Sequence, residues 1–245
     1  RCVLGDTFHS LSSNDLAKIT AWLRTKPAPI ERATPDPRYQ PQALADIKAA
    51  LSENDRATVV MACGTGKTLV SQWAVEQSEP KTVLLLLPSL SLLRQTLRDW
   101  SEQTSWGDRF SYICVCSDQT VGLKDDGLNM DPSEVEFRVD TDPQFVRSFL
   151  ERKTDKVKVV LSTYQSSPVV GEGCEGLPPF DIGVFDEAHK TVGLAGSAFG
   201  YALSEENIRI KKRLFFTATP RHIDIFKKLD KRTGDFRVLS MDDES

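Results

Sequence analysis

The segment Met61–Thr68, which reads Met-Ala-Cys-Gly-Thr-Gly-Lys-Thr, constrains the fold of this chain more than any other stretch. It overlaps an apolar run, Ala57–Ala62, of the kind found in buried strands of parallel sheets. The glycines predict a tight turn, and a helix is expected to begin near Lys67. A strand, a glycine-containing turn and a helix in direct succession form the context that a phosphate-binding P-loop requires. The sequence therefore predicts an α/β domain with an anion site at the end of this strand.

Backbone amides and two side chains carry the chemistry of this P-loop. The N–H groups of Cys63-Gly64-Thr65-Gly66 can converge on one anion, and the helix N-terminus adds its partial positive charge. Lys67 can reach the β and γ phosphates of a nucleotide, and the Thr68 hydroxyl can take a position on Mg²⁺. Met61 departs from the strict pattern, which has glycine there. The alternative, a glycine turn that merely caps a helix, leaves Lys67 and Thr68 without a reason.

Aliphatic runs that alternate with helical patterns predict the rest of the domain as a mostly parallel, doubly wound sheet with helices on both faces. Ligands of such sheets lie at the carboxyl ends of the strands. The predicted strands are Ala57–Ala62, Thr82–Leu87, Phe110–Cys116, Val157–Leu161, Asp181–Phe185, Arg213–Phe216 and Phe236–Leu239. The predicted helices are Pro41–Leu51, Thr68–Gln77, Leu90–Trp100, Asp142–Arg152 and Ile223–Leu229. Loops are predicted at 117–141 (a loop or insertion), Gly171–Pro179 and Gly193–Gly200.

Composition bounds the class of protein. Residues 1–35 combine a short amphipathic helix with a proline-rich stretch, and we interpret them as the tail of a preceding domain plus a linker. Residues 36–245 then form the α/β domain, and the chain is expected to be a piece of a longer protein.

The net charge of −4 provides no global basic field, so any contact with nucleic acid must be local. No apolar run reaches membrane-spanning length, and a cytoplasmic location is expected. The five cysteines lack metal-binding spacing and are expected to be buried, reduced thiols.

A second group of reactive residues, Asp186-Glu187-Ala188-His189, follows a predicted strand about 120 residues after Lys67. A carboxylate at the end of a buried strand beside a P-loop is well placed to hold Mg²⁺, and Asp186 is that candidate. Glu187 could then orient and deprotonate an attacking water molecule, so that phosphoryl transfer goes to water. His189 could couple this site to a neighbouring loop. Two alternatives stay open, namely solvated loop charges for the carboxylates and an ordinary hydrogen-bonded role for the histidine.

Taken together, these motifs resemble superfamily 2 helicases and translocases in order and spacing, over about residues 36–241. The joint order makes the resemblance more specific than any one motif. The matching segments are Tyr39-Gln40 (Q motif), Met61–Thr68 (motif I), Pro88–Gln95 (motif Ia), Ser162–Ser166 (the next nucleic-acid-contacting motif), Asp186–His189 (motif II of the Asp-Glu-Ala-His type) and Thr217–Thr219 (motif III).

The resemblance implies that the chain is the first RecA-like lobe of a two-lobe motor that uses ATP and Mg²⁺ and acts on DNA, with double-stranded DNA expected. Gln40 would read the adenine edge, and the P-loop, Asp186 and Glu187 would take the roles given above. The residues implied in nucleic-acid contact or coupling are Ser89, Arg94, Thr163, Tyr164, Thr217 and Thr219. Arg94 could instead be a solvated helix residue, and Tyr164 a core residue. Because the sequence lacks a second lobe with its arginine finger, this piece alone is expected to bind ATP weakly and hydrolyse it slowly at best.

Finer details resemble the bacterial branch tied to restriction and phage defence, which includes type I, type III and single-polypeptide type I-like restriction enzymes. The segments that carry this are Glu187–Gly193, Phe216–Arg221 and Ser240–Glu244. Partners expected from that branch are a second RecA-like lobe and nuclease or methyltransferase parts. Three alternatives remain, namely an ATP-gated DNA-binding scaffold without motor activity, an RNA-directed helicase and a small-molecule kinase. An intact Glu187 speaks against the scaffold, since a pure binder needs no water-activating carboxylate.

Overall fold

A parallel sheet of seven strands carries the fold in the computed structural model, which describes residues 32–116, 139–187, 193–194, 198–218 and 238–239. Contacts divide the chain into a short unit, Arg1–Ala33, and a larger one, Thr34–Ser245, and the fold below is that of the larger unit. The sheet strands are β1 (Arg56–Val60), β2 (Thr82–Leu87), β3 (Phe110–Val115), β4 (Val139–Asp140), β5 (Val157–Thr163), β6 (Phe180–Phe185) and β8 (Ile210–Thr217).

The order across the sheet is β1-β8-β6-β2-β5-β3-β4, and every neighbouring pair runs parallel. Strands β7 (Gly193–Leu194) and β9 (Val238–Leu239) pair antiparallel in a separate two-stranded sheet. The predicted fold class, a mostly parallel doubly wound sheet, is confirmed. Because all strands of the main sheet point the same way, β1, β6 and β8 deliver their following loops to one edge.

Helices pack against both faces of the sheet, and their ends have recognisable caps. The Ser89 side chain accepts from the Leu92 N–H at the start of one helix, and Asp142 accepts from the Gln144 N–H at the start of another. Among the helices of the described ranges, none is both long and apolar enough to cross a membrane. The helices are α1 (Gln40–Glu53), α2 (Lys67–Gln77), α3 (Leu90–Gln103), α4 (Pro143–Glu151), α5 (Ser167–Cys174) and α6 (Ala198–Tyr201).

Alternation of side chains across the strands builds one apolar core on each face. In β2, Leu85 and Leu87 join the core that is covered by α1, α2 and α3, whereas Leu84 and Leu86 join the core covered by α4 and α5. All four leucines are at most 2% exposed. Burial on both faces explains why this strand is a continuous aliphatic run in the sequence.

Most predicted strands and helices are present in the described residues, with shifted ends. Strand β8 begins at Ile210 instead of Arg213, and the last strand joins β7 rather than the main sheet. The end of the predicted 117–141 loop contributes β4, and the predicted loop Gly193–Gly200 contains β7 and the start of α6. Residues 117–138 of the 117–141 loop and the predicted helix Ile223–Leu229 lie outside the described residues.

The predicted loop Gly171–Pro179 is wrong over its first half, because α5 continues to Cys174. Gly171 and Gly173 lie inside α5, where they permit close packing and do not form a turn. A Cβ on Gly173 would come within 2.6 Å of the Val146 Cβ and 2.8 Å of the Pro143 carbonyl oxygen, both on α4. Small residues let α5 approach α4 closely, and this contact outweighs the low helix propensity of glycine.

We expect Gly173→Ala to destabilise the protein although alanine is the better helix former. The propensity gain of about 1 kcal/mol is outweighed by overpacking of about 1–3 kcal/mol against a backbone carbonyl that cannot move aside. Thermal unfolding should show a lowered Tm. Glu172→Ala, an exposed position on the same helix, is the matched control and should leave Tm nearly unchanged. A Tm for Gly173→Ala equal to or above wild type would contradict the packing argument.

Candidate nucleotide site

The P-loop begins where β1 ends and finishes at the first residue of α2. The Met61 N–H donates to the Thr217 carbonyl at 3.0 Å, which extends the β1–β8 pairing beyond the strand. Gly64 and Gly66 have φ angles of +77° and +81°, in the left-handed region that costs a residue with a Cβ about 1–2 kcal/mol. Gly66 directly precedes α2, so the first N–H groups of that helix have no partner from within it. This backbone is suited to an anion at the helix start.

Lys67 places an ammonium group between this loop and the end of β6. Its Nζ lies 3.4 Å from the Met61 carbonyl oxygen and 3.5 Å from Glu187 Oε1. The Lys67 and Glu187 side chains are only 12% and 22% exposed, so solvent screens their attraction less than it would on an open surface. The positive charge is therefore beside the anion-binding backbone and next to a carboxylate.

Asp186 and Thr68 face one small cavity between α2 and the sheet, and the rest of its wall is mainly apolar, including Leu86 and Val184. Burial, and then repulsion from Glu187, raises the pKa of the Asp186 carboxyl to about 6. A divalent cation between the hydroxyl and the carboxylate would offset both effects, and oxygen ligands are those that Mg²⁺ prefers. These residues therefore fit a Mg²⁺ site.

The chain turns sharply directly after Asp186. The Asp186 N–H donates to the Leu86 carbonyl at 3.0 Å, which continues the β2–β6 pairing past the end of β6. Glu187 then has φ +50°, an uncommon value for a residue other than glycine. The turn directs the Glu187 carboxylate back to Lys67, so two adjacent acidic residues serve different parts of the site.

Gln40 is bound to the P-loop, which differs from the adenine-reading role expected for it. It is 6% exposed, and its Nε2 donates to the Thr65 carbonyl at 2.9 Å while its Oε1 accepts from the Asp36 N–H at 2.6 Å. The Tyr39 hydroxyl lies 3.4 Å from the same Thr65 carbonyl. Sequence patterns did not indicate the bond from Asp36, because a backbone N–H donor carries no side-chain signal.

Thr163 and Tyr164, predicted to touch nucleic acid, are both fully buried, so the structure corrects their placement. Thr163 Oγ1 donates to Ser166 Oγ at 3.1 Å, and the Tyr164 hydroxyl donates to the Asp186 carbonyl at 2.8 Å. Burial also raises the pKa of Tyr164 well above its usual value, so the phenol stays a donor. The physical reason is that β5 is an interior strand, and the chain after it continues into the core.

The other predicted coupling residues occupy separate positions. Ser89 caps α3, and Arg94 lies half-buried on that helix, where it makes no ion pair or hydrogen bond with a described residue. Thr217 is buried at the end of β8, where its carbonyl accepts from the P-loop. His189 and Thr219 lie outside the described residues.

The cysteine expectation is corrected at one position. Cys114, Cys116 and Cys174 are buried free thiols, whereas Cys63 is exposed because it lies in the P-loop turn. Within the parts of the chain that the structure describes, no group of three or more His, Cys, Asp or Glu residues could hold a metal. The Mg²⁺ candidates Thr68 and Asp186 are thus a hydroxyl and a single carboxylate.

Comparison with known proteins gives consistent relatives. The chain is 32% identical over 193 residues to a probable helicase of African swine fever virus, covering 78% of this chain and 20% of the viral protein. It resembles the solved structure of the ATP-dependent Type ISP restriction-modification enzyme LlaBIII bound to DNA, with 33% identity and a TM-score of 0.67 over 86% of this chain and 14% of that one. It also resembles the structure of a nuclease-deletion mutant of the Type ISP enzyme LlaGI in complex with a DNA substrate mimic. The identity is 32% and the TM-score 0.60, over 82% of this chain and 19% of that one.

The chain thus spans about a fifth or less of the length of these relatives. Residues 35–222, which include the P-loop and Asp186-Glu187, match the family described as Type III restriction enzyme, res subunit. The chain therefore belongs to this family, as a superfamily 2 helicase-type first lobe of the restriction-enzyme branch.

Proposed function

We propose that this chain is the ATP-binding lobe of a DNA-dependent ATPase, a helicase or double-stranded DNA translocase, in a bacterial restriction or phage-defence system. One observation carries the proposal. The ammonium of Lys67 and the carboxylate of Glu187 lie 3.5 Å apart beside the P-loop, while Thr68 and Asp186 face a common cavity. A phosphate cradle, a cation, a metal-ligand pair and a general base are the parts that phosphoryl transfer to water requires.

Each group has a distinct role in this proposal. The N–H groups of Cys63-Gly64-Thr65-Gly66 receive the phosphates, and Lys67 neutralises the β and γ phosphates. Thr68 and Asp186 hold Mg²⁺, which supplies charge neutralisation at the transferred phosphoryl group. Glu187 orients and deprotonates the attacking water. Gln40 acts here by holding the Thr65 carbonyl, so it sets the shape of the loop on which the phosphates rest.

Phosphates that attract Lys67 would also release Glu187. The ammonium cannot approach both groups equally, since its present neighbour is the Glu187 carboxylate at 3.5 Å. A carboxylate that no longer faces the ammonium can turn to the attacking water instead. Nucleotide binding would therefore prepare the residue that hydrolysis needs.

DNA is proposed as the nucleic acid because the related restriction-modification enzymes were solved with DNA or a DNA mimic. Ser89 and Arg94 on α3 would contact the phosphate backbone, and Thr217 would link that contact to the P-loop through its carbonyl. His189 and Thr219 keep the coupling roles implied by the motifs. A second RecA-like lobe with an arginine finger, and nuclease or methyltransferase parts, would complete the enzyme in the cytoplasm.

We expect Glu187→Gln in the full-length protein to bind ATP and to lose turnover by at least about 100-fold, because Gln keeps the shape but cannot accept the proton. Steady-state phosphate release and the binding of a fluorescent ATP analogue measure the two properties. Glu53→Gln, at the exposed end of α1, is the matched control and should hydrolyse ATP like wild type. Turnover that survived in Glu187→Gln would show that another group is the base.

The same assay separates the proposal from its alternatives. Duplex DNA should raise the ATPase rate of the wild-type protein more than single-stranded DNA or RNA of equal length. Stimulation by RNA alone would favour an RNA-directed helicase. ATP binding without hydrolysis under every condition would favour an ATP-gated scaffold.

Asp186→Asn should stabilise the nucleotide-free protein while abolishing Mg²⁺-dependent nucleotide binding. The folded-state pKa of about 6 lies above the usual 3.8, so the unfolded chain releases this proton first and the free energy of unfolding falls as the pH rises between these values. At pH ~7.5 the neutral amide should therefore be more stable by on the order of 1–3 kcal/mol.

Differential scanning fluorimetry over a pH series tests this expectation. The advantage of Asp186→Asn should shrink towards pH ~4, where the wild-type carboxyl is also neutral. Asp155→Asn, an exposed aspartate, is the control and should show no such trend. A lowered Tm for Asp186→Asn at neutral pH would mean that the carboxylate makes compensating contacts.

A further inference from the structure

The buried Tyr164 stands out because its hydroxyl reaches the turn formed by Asp186 and Glu187, here called the catalytic turn, from the chain that follows β5. Its ring belongs to the core that α4 and α5 cover, and the side chain is fully buried. The hydroxyl donates to the main-chain carbonyl of Asp186 at 2.8 Å. In the sheet order β6-β2-β5, strand β2 lies between the two, so this bond joins the chain after β5 to the chain after β6 across the carboxyl end of β2.

Both main-chain polar groups of Asp186 are hydrogen-bonded. Its N–H donates to Leu86 of β2 at 3.0 Å, and its carbonyl accepts from Tyr164 at 2.8 Å. The next residue, Glu187, has φ +50°, a conformation that the surroundings must enforce because it is unfavourable for a residue with a Cβ. The bond from Tyr164 lies immediately before this strained residue.

Both carboxylates of the site depend on the orientation of this peptide. The Asp186 side chain faces the cavity that it shares with Thr68, and the Glu187 carboxylate lies 3.5 Å from Lys67 Nζ. A displacement of the main chain at Asp186 and Glu187 would move both carboxylates. Catalytic groups that are displaced by about 1 Å lose large factors in rate, so a hydroxyl that fixes this peptide affects chemistry without touching the substrate.

We propose that Tyr164 is a positioning residue for ATP hydrolysis, and that it transmits the state of the β5 end to the Asp186-Glu187 turn. Tyr164 directly follows Thr163, the last residue of β5, and Thr163 is bonded to Ser166 in the following turn. A shift of this segment when DNA engages the carboxyl edge of the sheet would move the Tyr164 hydroxyl and hence the catalytic turn. The inference rests on the proposed ATPase function and adds the residue that couples it to DNA.

Tyr164→Phe in the full-length protein isolates the hydroxyl, because it keeps the ring in the core. We expect kcat with duplex DNA to fall about 5- to 30-fold, because the two carboxylates are then held less well in their productive positions. KM for ATP and the affinity for a fluorescent ATP analogue should stay within about 2-fold, since the P-loop is untouched. The ratio of DNA-stimulated to basal rate should fall as well.

Amide hydrogen exchange provides a readout that needs no activity. The peptide that spans Phe185–Glu187 should exchange faster in Tyr164→Phe, because the turn has lost one of its two anchors. Tyr201→Phe is the matched control, since it removes a hydroxyl from a tyrosine that packs against the same core but whose hydroxyl lies beside Gly171 of α5. Its kcat and its exchange at Phe185–Glu187 should equal those of wild type.

The outcomes separate the inference from the proposed function. Unchanged exchange at the turn, or an unchanged kcat beside an active wild type, would overturn the positioning role. A fall in Tm with parallel losses in kcat and nucleotide affinity would overturn it too, because Tyr164 would then be only a packing residue. Faster exchange with a wild type that hydrolyses no ATP would retain Tyr164 as the anchor of the turn and reject the ATPase.

Discussion

Main-chain hydrogen bonds at the carboxyl edge of the parallel sheet hold the whole site together. The Met61 N–H is bonded to the Thr217 carbonyl and the Asp186 N–H to the Leu86 carbonyl, each at 3.0 Å. Each bond carries strand pairing past the end of the strand, so the chain is still held where its side chains begin to act. A parallel sheet brings these positions to one edge, which is why residues about 120 positions apart meet.

Repulsion between two carboxylates explains why the main chain of the site must be held by hydrogen bonds. Asp186 and Glu187 are adjacent carboxylates in a half-buried place, and burial together with their repulsion raises the pKa of Asp186 to about 6. The sharp turn at Glu187 separates their directions, so that one carboxylate faces Thr68 and the other Lys67. Without the backbone anchors, repulsion would favour a relaxed turn with both groups in solvent. Strain is thus tolerated where two adjacent carboxylates face different partners.

The sequence predicted those parts of the molecule that local patterns encode. A continuous aliphatic run identified β2, which is buried on both faces, and the Gly-Thr-Gly-Lys-Thr pattern between strand and helix identified the P-loop, whose glycines have positive φ. Helix α5 was missed because glycine is read locally as a turn former, whereas Gly173 is required by contact with α4. The anchoring of Gln40 to Thr65 was also missed, since it depends on how closely α1 approaches the loop. Both the helix and the hydrogen bond depend on contacts between elements that are distant in sequence, and a local sequence pattern does not encode such contacts.

Gln40 and Tyr164 have the same structural role, because each side chain donates to a main-chain carbonyl of a loop. Each was expected to contact a ligand, yet each is buried and binds a main-chain carbonyl of a loop at the candidate site, Thr65 in one case and Asp186 in the other. Buried carbonyls in loops beyond the strand ends need a donor, and here polar side chains from other elements supply it. A motif residue beside a reactive loop can therefore matter for the reaction while it touches only protein. In this lobe, such side chains connect the P-loop to α1 and the turn at Asp186-Glu187 to the chain that follows β5.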